Sequence, residues 1–353
     1  MRTADAEGTS NYEYVNARVR ARRAALFDDE DYRKLLRMGP GEIARFMEES
    51  EYESEINALG ARYDGVDLIE YALNRNLAKH FNDLLDFSSG DLYVLIARYL
   101  RKFDAWNVKT IVRGIYSETD SEDVRSDLIR AGEFDDDFLD RLTEAGSVED
   151  VVDLLDGTIF GDPVAEAYED YEETNMLVPL ENAVDRAFYE ELMEGVAESQ
   201  NRALQLYAEF LQAEIDFRNM RNALRISRSG ADIDPSEYFI DGGQLFDAAE
   251  LSQLASNTDE LVAHVRESTY GDELDEALDE LERADSLIGF EHALDAALLE
   301  YSEHLSHVFP LSICPVLAYV LAKEREVDNI RAIARGREAG LSEDEIEAEL
   351  VIL

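Results

Sequence analysis

The sequence predicts an all-α protein built from one helical unit that occurs three times in succession. Apolar residues recur at i, i+3, i+4 and i+7 along almost the whole chain, which is the spacing of one helix face. Only 6 of the 353 residues are proline, and no run of alternating apolar and polar residues indicates a strand. Short motifs return after 110 or 111 residues, which indicates an internal repeat.

The clearest repeated motif is an apolar residue, Glu, any residue, Ala, an apolar residue, and Asn or Asp. It occurs at residues 69–74, 180–185 and 290–295. On a helix its apolar positions form one stripe, and the Glu and the Asn or Asp form an i, i+4 pair on the flank. The three glutamates are Glu70, Glu181 and Glu291.

A second motif begins with an Asn 37 or 38 residues after each glutamate. Lys or Arg follows this Asn by two positions, and Arg follows it by six. These basic pairs are Lys109 with Arg113, Arg221 with Arg225, and Arg331 with Arg335. An acid stands three positions before each Asn, inside the apolar stripe, and a buried acid requires a partner. The acids are Asp104, Asp216 and Glu326, and either the neighbouring cations or the backbone can hold them.

The two motifs carry opposite charges on the flanks of their stripes, so we expect them to face each other. Two like charges at i, i+4 destabilise an isolated helix, and each basic pair therefore requires an opposing partner. Our hypothesis is that the two helices of one repeat pack together. It pairs Glu70 and Asn74 with Lys109 and Arg113, Glu181 and Asp185 with Arg221 and Arg225, and Glu291 and Asp295 with Arg331 and Arg335.

A weaker third motif precedes each glutamate motif and ends in an aromatic residue. Its three copies are Ser50-Glu51-Tyr52, Thr158-Ile159-Phe160 and Thr269-Tyr270. Together the motifs divide the chain into three helical domains, which are residues 1–118 with the N-terminal helix, 119–230 and 231–353.

The charge of the chain is strongly acidic, with 80 Asp and Glu against 33 Lys and Arg. The acids occur in nearly every ten-residue window, which is typical of a surface adapted to strong salt, where self-repulsion is screened. The alternative, an acidic partner-binding or nucleic-acid-mimicking surface, predicts acid concentrated in one block. No basic patch is visible, so nucleic acid is not expected as a partner.

No motif indicates catalysis, a cofactor or a metal. Neither G-x-x-x-x-G-K-[ST] nor G-x-G-x-x-G occurs, so the sequence predicts no nucleotide site and no cofactor. His304 and His307 lack a second cluster that would complete a zinc site, and a solvated helix flank is the interpretation we favour. The acidic strings 28–31 and 135–137 lack the glycine and final glutamate of a calcium loop, and first turns of helices explain them better.

The last third of the chain resembles the C-terminal signature of a known family. That family contains the C subunit of archaeal (A-type) ATP synthases and the d subunit of the vacuolar-type ATPase. The resemblance extends from residues 11–27 through all three repeats. Its matching residues are Pro315, Glu324, Glu326, the step Asn329-Ile330-Arg331, and Ile333 followed by Arg335-Gly336.

The resemblance implies three similar helical domains that form a funnel around a pseudo-threefold axis. In that family the funnel sits on the membrane rotor ring of proteolipids and receives the foot of the central stalk, subunits D and F. Such a protein turns with the rotor, couples the ring to the catalytic head for ion-driven ATP synthesis, and has no active site of its own. It is peripheral to the membrane on the cytoplasmic side, and no apolar run reaches the roughly 20 residues of a membrane helix.

Two roles stay open for the repeated charges. They either only hold the repeats together, or some of them also line the cavity and touch the stalk. Arg113, Arg225 and Arg335 are the candidates for the second role, because arginine is favoured at interfaces and the three positions are equivalent. Two other classes also stay open, a helical scaffold with different partners and an enzyme of unknown type.

Overall fold

The computed structural model describes residues 9–196, 201–229, 235–271, 274–275, 278–279 and 288–351. These residues form helices and connecting turns with no strand among them, which confirms the predicted all-α class. None of the helices in these ranges combines the length and the apolar character that a membrane span needs.

The first repeat consists of a leading helix, three short helices, one long helix, and two shorter helices that take the place of the second long helix of the other repeats. In chain order these are α1 (Tyr12–Arg23), α2 (Asp29–Leu35), α3 (Pro40–Met47), α4 (Glu53–Leu59), α5 (Gly65–Asp86), α6 (Gly90–Leu100) and α7 (Lys102–Tyr116).

The second and third repeats also begin with short helices that are followed by two long ones, and in the third repeat one more short helix comes last. The second contains α8 (Ser121–Asp127), α9 (Asp136–Thr143), α10 (Val148–Leu154), α11 (Gly161–Thr174), α12 (Val178–Met193) and α13 (Arg202–Ser229). In its described part, the third contains a 3-10 helix (Pro235–Tyr238), α14 (Ala248–Ala255), α15 (Thr258–Arg266), α16 (Ile288–Val308), α17 (Cys314–Ala339) and α18 (Glu343–Glu347).

The described chain divides into two compact units that cut across the sequence repeats. One unit runs to Val184 and includes Tyr319–Leu350, and the other includes Asp185–Ala318. The domain boundaries 1–118, 119–230 and 231–353, and the funnel around a pseudo-threefold axis, stay predictions.

The acidic strings at residues 28–31 and 135–137 are helix starts. The Asp28 side chain accepts from the N–H groups of Glu30 (2.9 Å) and Asp31 (3.0 Å), and Asp135 accepts from that of Phe138 (2.8 Å). Carboxylates at these positions satisfy backbone donors that a helix leaves unpaired and interact favourably with its dipole. These strings are therefore caps and first turns, as the sequence indicates.

The apolar stripes of both motifs are buried in all three repeats. In the first repeat, Ile69, Leu73 and Val108 are fully buried. The equivalent buried residues are Leu180, Val184 and Met220 in the second repeat, and Phe290, Leu294 and Ile330 in the third. Helix periodicity therefore identified the core correctly.

The third motif is a turn that a hydroxyl group stabilises. The Ser50 hydroxyl donates to the carbonyl three residues before it and accepts from the N–H two residues after it. Thr158 and Ser268 make the same two bonds, so the structure aligns Ser268, rather than Thr269, with Ser50. The aromatic residues that follow, Tyr52, Phe160 and Tyr270, are buried.

The buried acids of the second motif bind the backbone of the following repeat. Asp104 accepts from the N–H groups of Glu133 (2.7 Å) and Phe134 (3.1 Å). Asp216 accepts in the same way from Gln244 and Leu245, both at 3.0 Å. The sequence left open whether neighbouring cations or the backbone hold the buried acids. At these two acids it is the backbone.

The asparagines of the second motif strengthen the same junctions. Asn107 exchanges two hydrogen bonds with the backbone of Ile129, and Asn219 does so with Ile240, at 2.8 and 2.9 Å in each case. An amide side chain that pairs with both groups of one peptide leaves neither its donor nor its acceptor unsatisfied. The start of each following repeat is therefore bound at two adjacent positions.

In the third repeat the acid binds the beginning of the chain. Glu326 accepts from the Phe27 N–H (2.5 Å) and from the Tyr52 hydroxyl (2.6 Å). The buried Lys323 ammonium also donates to it, at 2.7 Å. The three acids thus connect the first repeat to the second, the second to the third, and the third to the first.

Gly132 permits the close approach of Asp104 to the backbone, because a Cβ atom there would overlap the carboxylate. We expect Gly132→Ala to lower the free energy of unfolding by about 1 to 3 kcal/mol through overpacking. The matched control is Gly41→Ala in α3, where no atom lies within 4 Å of an added Cβ. Denaturant unfolding checks both, and equal stability of the two variants would contradict this role of Gly132.

Asp104 predicts a pH dependence of stability. Burial raises the pKa of Asp104 from 3.8 to about 7, although two N–H groups bind its carboxylate. A folded pKa above the unfolded value means that the folded state binds the proton more tightly, so stability falls as pH rises from about 4 to about 7. The stability difference between the wild type and Asp104→Asn, from urea unfolding, should shrink across this range. A constant difference would show that Asp104 does not titrate there.

Candidate partner-binding surface

Each candidate arginine binds the glutamate of another repeat through Nε and Nη2. Arg113 donates from these atoms to the two oxygens of Glu181, at 2.6 and 2.8 Å. Arg225 donates in the same way to Glu291, with Nε at 2.5 Å from Oε1. Arg335 donates to Glu70, with Nη2 at 2.9 Å from Oε2. The order of pairing is cyclic, from first to second, second to third, and third to first.

The hypothesis that these charges pair within one repeat is therefore wrong. It assigned Glu70 to Lys109 and Arg113, but the structure pairs Glu70 with Arg335. Glu181 and Glu291 differ from the hypothesis by the same displacement of one repeat. Every copy of the repeat presents a similar flank with a Glu at the same position, so periodicity predicts which residue types pair but not which copies meet.

The other basic residues of the motif show the same displacement. Arg221 binds Asp295 of the third repeat, and Arg331 donates to the Asn74 side chain of the first repeat at 2.9 Å. Arg331 also binds Asp328 on its own helix, at 3.0 Å. Lys109 is half-buried on α7. In the second and third repeats, both basic residues of the motif therefore bind a residue of another repeat.

The three ion pairs share one pattern of burial. The glutamate side chains are 13–25% exposed, whereas the arginine side chains are 52–63% exposed. Two parallel N–H bonds to one carboxylate fix the orientation of a guanidinium group. Each pair thus presents an oriented cation to the surroundings and keeps its acid covered. We name Arg113, Arg225 and Arg335 the oriented arginines.

Two of the oriented arginines lie on one open pocket of about 300 Å³. Arg113 and Arg335 line it together with Glu70, Asp127 and the sole tryptophan of the chain, Trp106. Trp106 is 43% exposed although it directly precedes the buried Asn107. Exposed tryptophan and arginine are characteristic of protein interfaces, so this pocket is a candidate contact site for a partner.

Sequence reasoning did not single out Trp106 or Arg218. Arg218 binds Asp185 at 3.1 Å and the Tyr189 hydroxyl at 3.0 Å. Our hypothesis had paired Asp185 with Arg221 and Arg225 instead. Neither residue recurs in the other repeats, and a search for repeated positions therefore passes over both.

His304 and His307 lie exposed on the flank of α16. The Nδ1 atom of His307 is 2.8 Å from the carbonyl oxygen of Glu303. Within the ranges given above, no group of three His, Cys, Asp or Glu is arranged to hold a metal. The histidines are therefore part of a solvated flank, which is the interpretation favoured from the sequence.

The described geometry is that of a helical repeat protein whose copies are joined by ion pairs and by buried acids. The model of the ATP synthase (C/AC39) subunit family matches residues 15–349. The C subunit of the A-type ATP synthase of Haloferax volcanii is 69% identical over 98% of this chain and 99% of its own length. That of Halobacterium salinarum is 63% identical over 99% of each chain. That of Methanosarcina mazei is 36% identical over 98% of this chain and 94% of its own.

The chain belongs to the ATP synthase (C/AC39) subunit family. It is thus a structural rather than a catalytic part of a rotary ATPase, and the resemblance read from the sequence is confirmed. Its similarity to the proteins of the halophilic genera Haloferax and Halobacterium agrees with a surface adapted to strong salt.

The corrected pairing predicts a specific energetic coupling. In a double-mutant cycle of Arg335→Gln and Glu70→Gln, we expect a coupling energy of about 1 kcal/mol or more. The reason is that the covered Glu70 carboxylate loses its basic partner when Arg335 is replaced.

The control is the same cycle within the first repeat, Arg113→Gln with Glu70→Gln. It should be additive to within about 0.5 kcal/mol, because the two oxygens of Glu181 hold the Arg113 guanidinium instead. Denaturant unfolding at constant salt measures all variants, and a larger coupling within the repeat would contradict the cyclic pairing.

Proposed function

We propose that this chain is the rotor-coupling subunit of an A-type ATP synthase. It links the central-stalk subunits D and F to the membrane proteolipid ring and transmits torque between them during ion-driven ATP synthesis. Family membership supports a role in the ATP synthase. The observation that carries the coupling role is the cyclic pairing of Arg113, Arg225 and Arg335 with the glutamates of other repeats.

Cyclic pairing supports a closed arrangement of three equivalent walls. If the three repeats form the funnel that the family implies, each repeat lies beside the next, and the cyclic order of these ion pairs fits that arrangement. Two sets of contacts hold each junction, the ion pair and the buried acid that binds the backbone. Such doubly held junctions give the stiffness that transmission of torque requires.

The oriented arginines are the part of the chain that best suits the stalk. Their guanidinium groups are more than half exposed, and a glutamate orients each of them through Nε and Nη2. A guanidinium group oriented by a carboxylate is prepared to bind an acceptor on a partner with little further loss of side-chain freedom. Both roles left open by the sequence, bracing the repeats and touching the stalk, thus suit the same three residues.

This proposal places the protein at the cytoplasmic side of the membrane, as a peripheral protein attached through the ring. It needs no nucleotide, nucleic acid or cofactor, because the ring drives the rotation and the catalytic head forms ATP.

The test replaces the three cations with a neutral amide, in the variant Arg113→Gln/Arg225→Gln/Arg335→Gln. We expect capture of a purified complex of subunits D and F to weaken about 10- to 100-fold, because interface arginines contribute strongly to affinity. The control is Glu70→Gln/Glu181→Gln/Glu291→Gln, which disrupts the same ion pairs but keeps the guanidinium groups. It should bind the stalk within about threefold of the wild type if the arginines themselves make the contact.

Circular dichroism and thermal melting of both triple variants separate binding from folding. Equal loss of stalk capture in the two variants, accompanied by unfolding, would show that the charges only hold the repeats together. Failure of the folded wild type to capture either stalk or ring would favour the alternative, a helical scaffold with other partners.

A further inference from the structure

The turn between α16 and α17 exposes apolar side chains on a chain that is otherwise rich in acid. Val308 is 51% exposed and Leu311 is 60% exposed. Residues 304–323 contain no Asp or Glu and form the longest acid-free stretch of the sequence. Contiguous exposed apolar residues mark sites of contact with other molecules more often than isolated ones do. We name residues 308–311 the apolar turn.

Hydrogen bonds stabilise the apolar turn. The Phe309 N–H donates to the Leu305 carbonyl at 2.9 Å. The Ser312 hydroxyl donates to the Phe309 carbonyl at 2.8 Å and accepts from the Cys314 N–H at 3.1 Å. The Arg202 guanidinium covers one face of the Phe309 ring, 4.9 Å from its centroid. A turn that is already ordered loses little freedom when a partner covers it.

The equivalent turn of the first repeat is covered by the chain itself. It begins at Phe87, which follows Glu70 by 17 residues, as Val308 follows Glu291. The Asn11 amide donates to the Phe87 carbonyl at 2.8 Å, and the Ser89 hydroxyl donates to the Thr9 carbonyl at 3.0 Å.

Aromatic packing completes that cover, since the Tyr14 ring contacts the Phe87 ring edge-on. The corresponding turn of the second repeat lies outside the described residues. In the described part of the third repeat, no such segment reduces the exposure of Val308 and Leu311.

The apolar turn and the ion pair of Arg225 lie at opposite ends of one helix. Glu291, which binds Arg225, is 17 residues before Val308 on α16, and this separation corresponds to about 26 Å along the helix axis. One end therefore presents an oriented cation and the other presents uncharged apolar side chains. Ends of such different chemistry suit two different partners.

We propose that the apolar turn is the surface through which the protein contacts the membrane-embedded ring, an inference that rests on the proposed function. Membrane proteins are enriched in Trp and Tyr at the level where the bilayer meets water, and the rings of these residues complement the exposed apolar side chains of Val308 and Leu311. A soluble stalk suits the charged end of α16. In strong salt, where charge attraction is screened, the apolar contact is the stronger of the two.

The test replaces both exposed side chains, in the variant Val308→Ser/Leu311→Ser. We expect capture of purified, detergent-solubilised proteolipid ring at molar potassium chloride to weaken about 10- to 100-fold, because two apolar side chains no longer leave water. Capture of subunits D and F should stay unchanged. The control is Leu341→Ser, another apolar side chain that is 41% exposed, and it should leave both captures unchanged.

Three other results would each overturn the proposal that the apolar turn contacts the ring. If the folded Val308→Ser/Leu311→Ser variant captures the ring as the wild type does, the turn is not the contact, and the proposed function stands. If the wild type fails to capture the ring, both proposals fail. If protein-free phosphatidylglycerol vesicles bind the wild type as well as the ring does, and the variant loses this binding, the turn is a lipid anchor.

Discussion

This structure depends on charged side chains of one repeat that bind groups of another repeat. A buried carboxylate is tolerated only when hydrogen bonds or cations satisfy its oxygens. Asp104 and Asp216 obtain these bonds from the backbone of the following repeat, and Glu70 obtains them from Arg335. A single repeat therefore lacks the groups that its own acids require. In repeat proteins generally, the interfaces between neighbouring repeats contribute to stability in addition to each repeat's own packing.

The junction between the third repeat and the first is built differently from the other two. A longer glutamate replaces the aspartate of the other two junctions, and it accepts from the Phe27 N–H at 2.5 Å. The buried Lys323 adds a cation there, and burial lowers the pKa of Lys323 although Glu326 lies beside it. This junction joins segments that are almost 300 positions apart in sequence.

The two kinds of proposed contact follow from the same salt-adapted composition. The chain carries 80 acidic against 33 basic residues, so both contacts lie on a strongly acidic protein. The oriented arginines keep their geometry because each of them binds a covered glutamate. The apolar turn gains importance at high ionic strength, where charged surfaces attract over only a few ångströms. Stiff junctions between the repeats would let a force applied at one contact reach the other.

The sequence by itself determined the helical class, the buried stripes and the residue types that pair, because these depend on periodicity within single helices. It also identified Arg113, Arg225 and Arg335 as equivalent. The tertiary structure decided which copies meet, that the backbone binds the buried acids, and that Trp106 and Leu311 are exposed. Copies of a repeat present similar flanks, so local patterns cannot distinguish a neighbour within the repeat from a neighbour in the next one. Only the path of the chain in space makes that distinction.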